Sequence, residues 1–207
     1  MMQRKFRNVF LFALILNGLY LTSIIAQEKQ EIILTLTEIS TEDKIEHFTK
    51  GEELRKQMKF NEAIEEYQKV MTLGESCGKE SEAHYDIGLC YLWLMKLDIA
   101  EAVFHEVITI YPDNREVIAF SRYCLSWIDV QRGNFYTAID RLRCSLAEDI
   151  YSDEEYCSKA QFQIGRIYLV FLHDDEKAEE AFRTVLEKYP NSSITNHPFL
   201  QNLKGEY

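Results

Sequence analysis

From Ser81 to Asn114 the apolar positions of SEAHYDIGLCYLWLMKLDIAEAVFHEVITIYPDN follow the period of a helix rather than that of a strand. Ile87, Gly88 and Tyr91 mark one amphipathic helix, and Ala100, Phe104, Val107 and Ile108 mark a second, with a tight turn between them. Gly88 and Ala100 are small enough to let the two backbones approach, and Phe104 fills the space left beside them. Pro112 closes the unit because it cannot continue a helix. The pattern recurs along the chain. Gly51, Ala63 and Tyr67 keep the spacing of Gly88, Ala100 and Phe104. Leu125, Ser126, Gly133-Asn134-Phe135, Ala138 and Leu142 form a third copy. Gly165, Tyr168, Ala178, Phe182 and Pro190 form a fourth, whose one extra residue is expected in the turn around His173-Asp174-Asp175. Asp129 breaks the pattern where an aromatic or aliphatic residue is expected, so it needs a buried hydrogen-bond partner or a helix rotated to expose it.

Gly88, Tyr91, Ala100, Phe104 and Pro112 fall at the spacing of a known motif, and the segment resembles the tetratricopeptide repeat (TPR), a helical hairpin of about 34 residues. The resemblance implies an all-α fold, a right-handed superhelical stack of about four hairpins near residues 41–74, 81–114, 119–148 and 155–190. One hairpin cannot bury its apolar face, so the units must stack on their neighbours. Ala63, Ala100, Ala138 and Ala178 lie 37, 38 and 40 residues apart, longer than the family period. The excess is expected in the links 75–80 and 148–154 and in the fourth turn.

Outside residues 41–190 the pattern changes. Arg4, Lys5 and Arg7 precede an unbroken apolar run from Val9 to Leu16, and Ile24-Ile25-Ala26 offers a cleavage boundary before Gln27. Residues 1–26 read as a secretory signal peptide of an exported, periplasmic or extracellular protein; the rival reading is an uncleaved anchor through residues 9–26. Residues 27–40, rich in Ile, Leu and Thr, favour a strand or extended linker. Ser40 and Thr41 followed by Glu42 and Asp43 predict a helix start. Residues 191–207 form a tail that either folds back through Phe199, Leu200 and Leu203 or stays loose.

Charge narrows the partners. The chain carries a net −11, and loss of Arg4, Lys5 and Arg7, the only charges in the first 26 residues, would take it to −14. Nucleic acid and anionic membrane surfaces need clustered Lys and Arg, so neither is expected as a partner, and a basic protein fits better. No cofactor or metal is expected. Cys77, Cys90, Cys124, Cys144 and Cys157 contain no pair at metal or redox spacing, although export would allow one disulfide among the four other than Cys90, a buried thiol by its position beside Gly88 and Tyr91. His47 and His84 occupy equivalent repeat positions, which explains them without a ligand role. No HExxH, nucleophile elbow or phosphate-binding loop occurs, so a non-catalytic protein is expected. Asn191-Ser192-Ser193 matches a glycosylation acceptor.

In the family the first helix of each repeat lines a concave groove. The resemblance places Phe48, Arg55 and Lys56 there from the first repeat, and Tyr85, Asp86, Leu89 and Trp93 from the second. Tyr123 and Trp127 come from the third, and Phe162 and Arg166 from the fourth. Such aromatics suit a partner's peptide segment or helix, with Arg55, Lys56 and Arg166 fixing its orientation. Chaperone-adaptor members hold a C-terminal carboxylate with Lys, Asn and Arg at positions that here carry Phe48, Glu52, Asp86, Phe120 and Cys124, two acids and no cation, which argues against that role. The expected function is a protein-interaction scaffold. Self-association into a structural subunit of an envelope assembly and a metal- or thiol-dependent carrier or enzyme are the other readings.

Overall fold

Ser40 opens the first helix as a reciprocal cap: its side chain accepts from the Asp43 N–H at 3.1 Å while the Asp43 carboxylate accepts from the Ser40 N–H at 3.2 Å. The computed structural model describes residues 40–72, 76–147 and 154–204, with side chains as far as Gln201. The expected leader 1–26 and the strand or linker of residues 27–39 lie outside the described residues, as does Leu203 beyond its backbone.

Four hairpins follow one another: α1 (Thr41–Lys56) with α2 (Phe60–Val70), α3 (Glu80–Trp93) with α4 (Leu97–Ile110), α5 (Arg115–Gln131) with α6 (Phe135–Ala147), and α7 (Glu154–Ile167) with α8 (Asp175–Lys188). Each packs on the next, and first helices also meet across repeats, α3 with α5 and α5 with α7. This is an all-α helical-repeat stack with no strand among the described residues.

The small positions act as the sequence pattern requires. Ala63, Ala100 and Ala138 have no exposed surface and Ala178 almost none. Opposite them the glycines admit a ring: a Cβ on Gly51, Gly88 or Gly165 would stand 2.6, 2.7 or 2.5 Å from a carbon of Tyr67, Phe104 or Phe182. The third repeat changes both partners together, with Ser126 in place of the glycine and Leu142 in place of the aromatic. A narrower neighbour leaves room for a Cβ and a hydroxyl, which donates to the Tyr123 carbonyl at 2.7 Å.

The three inner turns share one geometry. Met58, Met95 and Gly133 have φ of +59°, +57° and +78°, and the amides of Lys59, Lys96 and Asn134 donate back to the carbonyls of Leu54, Tyr91 and Asp129. This closing bond is the Schellman arrangement, which favours glycine at the left-handed position. The fourth hairpin keeps a left-handed residue, His173, at the same distance before its alanine. Its extra residue therefore lies not in the turn, as the spacing suggested, but within the preceding helix, where Tyr168–Leu172 widens into one π-helical turn. That turn carries Phe171 outward onto Phe135, ring centroids 4.8 Å apart and nearly parallel.

Asp129 takes the first of its two routes. It is buried, and Arg141 of α6 donates to its carboxylate at 2.9 Å. Lys44 and Glu66 are also buried, Lys44 facing Glu80 at 3.6 Å and Glu66 meeting Lys50, Lys69 and the His47 ring at 2.8, 3.1 and 2.7 Å.

The tail covers the open end of the stack. After a short 3-10 turn, α9 (Pro198–Lys204) buries Leu200, sets Phe199 4.8 Å from Phe182, and brings His197 5.0 Å from Phe162. Glu155 anchors this return by accepting from the Ser193 N–H at 2.8 Å and from the Ser192 and Ser193 hydroxyls.

Candidate functional site

The side chains of α3, α5 and α7 turned toward one another form a groove of about 410 Å³. Six of the residues expected from the repeat register line it: Tyr85, Leu89, Trp93, Tyr123, Trp127 and Arg166. Leu92, Met95, Cys124 and Gln163 complete the wall. The helical spacing of Tyr85, Leu89 and Leu92 puts them on one face of α3, and Tyr123 and Trp127 repeat that step on α5. Trp93 and Met95 expose 66% and 58% of their surface, unusual for large apolar side chains grouped in one place. Met95 projects from the left-handed turn, so helical register alone could not place it. Arg166 sits at the far wall, donating to the Gln163 side-chain Oε1 at 3.3 Å.

A second cavity of about 270 Å³ adjoins this groove and shares Tyr85 with it. It lies toward the start of α3 and α5 and beside α1, between Phe48, Tyr85 and Phe120, with carboxylates from Glu52, Glu82, Asp86 and Glu116. Glu82 and Glu116 were not on the expected list, although Glu82 lies one helical turn before Asp86. Burial pushes the Asp86 carboxyl up to about 6, against the opposing pull of Arg55 at 3.5 Å. The aromatic row continues along the inner helices, Tyr85 to Phe120 at 5.5 Å and Phe120 to Tyr156 at 4.2 Å.

The remaining expected residues sit elsewhere. Arg55 turns into the joint between the first two repeats, its Nε 3.3 Å from the Tyr67 hydroxyl as well as facing Asp86. Lys56 is exposed at the end of α1 and lines neither cavity. Phe162 is buried between Phe182 and His197, because the returning tail covers the end of the groove that it would otherwise face. Phe48 is also buried, lying against Tyr67 and reaching only the acidic cavity.

The described residues hold no metal-binding cluster: no three His, Cys, Asp or Glu side chains come together as a metal site there. Cys90 and Cys124 are buried, which pushes both thiols up to about 12, and Cys124 meets the Tyr85 hydroxyl at 3.7 Å. Cys77 and Cys144 carry free thiols. No described helix is long and apolar enough to cross a membrane.

The fold and the groove together define a helical-repeat protein of the kind that serves as a protein-interaction scaffold. Residues 82–114 and 159–192 match the tetratricopeptide repeat family, so the chain carries repeats of this kind. No curated protein matches its sequence. Among solved structures it is similar to a MamA double mutant (MamA RS-1 ArsTM), with 20% identity over 81% of this chain and 88% of that one, at a TM-score of 0.54. It is also similar to the nearly identical TPR-like repeats of a Podosopora anserina putative kinesin light chain, with 16% identity, 78% and 81% coverage and a TM-score of 0.57. At these identities the likeness is one of fold.

Proposed function

We propose that this protein is a non-catalytic adaptor that holds a peptide segment or helix of a partner protein in the groove between α3, α5 and α7. The observation that carries the reading is the grouping of Trp93, Trp127, Tyr85 and Leu89 on one concave wall, with Trp93 largely exposed. Large aromatic side chains of this kind supply most of the energy in protein interfaces. Tyr85 and Trp127 are the anchors, and Arg166 orients the bound segment from the far wall. The basic and apolar start of the chain suits a secretory leader, so the adaptor works in the cell envelope or secretory space.

Affinity capture from the source cells with the wild-type chain and a Tyr85→Ala/Trp127→Ala variant tests the groove. A protein retained by the first and lost by the folded second supports it; equal retention by both moves binding to another surface. Trp127→Ala should weaken that binding at least tenfold while shifting the melting temperature little. N-terminal sequencing of the chain from its native compartment tests the leader, with Gln27 expected as the first residue.

A further inference from the structure

We infer that the occupant of the groove is a cationic amphipathic segment, whose Lys or Arg enters the acidic aromatic cavity while its large apolar side chains lie along Leu89, Trp93 and Trp127. The inference rests on the groove reading above and adds the partner's chemistry. Three features of the surface select it.

The first is charge. Glu52, Glu82, Asp86 and Glu116 face one cavity of about 270 Å³, and among the described residues neither the Glu52 nor the Glu116 carboxylate makes a hydrogen bond or ion pair. Asp86 is matched by Arg55 and Glu82 by Lys79, so the cavity keeps an excess of negative charge in a protein that is already acidic. A carboxylate or phosphate entering it would be repelled, whereas an ammonium or guanidinium would be drawn in.

The second is the aromatic lining. Phe48, Tyr85 and Phe120 offer ring faces at the scale of one long side chain, and a cation within about 6 Å of a ring centroid is held by the ring quadrupole. The rim already does this once: Lys79 Nζ stands 5.4 Å from the Phe48 centroid while pairing with Glu82 at 2.8 Å.

The third is continuity. Tyr85 walls both cavities, so one extended or helical segment can pass from the acidic end to the apolar groove. Arg166 stands at the other limit of that groove and sets the direction. The cationic residue of the occupant lies where α1 meets the starts of α3 and α5, its apolar residues lie over the second and third repeats, and any acidic residue lies toward the fourth.

The chain contains only two tryptophans, and both line the groove, so their emission reports occupancy directly. The experiment selects a random twelve-residue peptide display library against the full chain, then titrates the synthetic peptides while following Trp emission. Selected peptides should carry Lys or Arg beside two or more large apolar residues and should shift the emission. Their affinity should fall at least tenfold in Glu52→Gln/Glu82→Gln/Glu116→Gln, and with added salt in the wild type. Circular dichroism and unfolding of the triple variant check that its fold is intact. Selected peptides without cationic enrichment, or equal affinity for the triple variant, overturn the charge inference and leave the groove reading standing. Binding without an emission change and without loss in Trp127→Ala overturns the groove reading as well. Failure to select any peptide overturns both. An emission change on simple dilution of the chain shows a second copy in the groove and also overturns the inference.

Discussion

Gly88→Ala tests the packing rule that repeats through the stack. The new Cβ would stand 2.7 Å from Cε1 and 3.0 Å from Cδ1 of Phe104, a fully buried ring. Carbon atoms rest at about 3.5–4.0 Å, so the overlap approaches 1 Å against a ring with no free space to turn into. Overpacking of this kind costs about 1–3 kcal/mol, while replacing a mid-helix glycine by alanine returns about 1 kcal/mol of helix propensity. The net expectation is a loss of up to about 2 kcal/mol, nearer that limit because the buried ring has no space to yield, read by urea unfolding followed by far-UV circular dichroism. Phe104→Leu creates space at its own cost, and in the Gly88→Ala/Phe104→Leu pair the two losses should add to less than their sum. The third repeat is the natural control, since Ser126 faces Leu142 there. Leu142→Phe should destabilise, and Ser126→Gly/Leu142→Phe should recover most of the loss. A Gly88→Ala protein as stable as the wild type, or strictly additive losses in the pair, would refute the argument that ring and glycine are matched.

Asp129→Ala should cost about 2–3 kcal/mol, below the ~3–5 kcal/mol of a fully buried pair because the Arg141 side chain is 25% exposed; thermal unfolding of the variant beside Asp129→Ala/Arg141→Met checks it, the double variant being the more stable of the two. Met58→Gly should stabilise by about 0.5–1 kcal/mol, since Met58 holds φ +59° where glycine is at ease, and calorimetry would show any loss instead. Stability against pH should have two phases. Burial raises Asp86 to about 6, so its proton uptake adds stability as pH falls from about 6 to 4, and Asp86→Asn should abolish that gain. Burial opposes ionisation of Glu66 and Glu80, yet hydrogen bonds from Lys50, Lys69 and His47 to Glu66, and from the Cys77 amide and Ser76 to Glu80, hold both at about 2. The Ser193 hydroxyl first and its amide next hold Glu155 there too. The stability from these three is complete above about pH 4.5 and is lost as pH falls toward 2; Glu66→Gln should flatten part of that loss in a series of unfolding curves.

How far the groove could be read from the chain varied with distance from the repeat pattern. Tyr85, Leu89, Trp93, Tyr123 and Trp127 follow from register, because helical period alone puts them on one side of α3 and α5. Phe162 obeys the same register and is nevertheless buried, since its cover, His197, belongs to a segment with no repeat pattern. Arg55 has the right register too, but a buried carboxylate on the next repeat draws it inward. Met95 joins the groove through turn geometry and Glu116 joins the acidic cavity through the offset between repeats, neither of which has a period to read, whereas Glu82 follows from Asp86 by one helical turn.

The sequence by itself determined the helical hairpins, their number and their small-to-large contacts. These depend on residues within about 16 positions of each other, where period and side-chain size are enough. Tertiary structure alone decided where the extra residue of the fourth repeat goes, how Asp129 is satisfied, and which ends of the groove stay open. Each of these depends on a contact between elements whose relative placement no local pattern encodes, and burial at such a contact changes what a side chain of given chemistry can do.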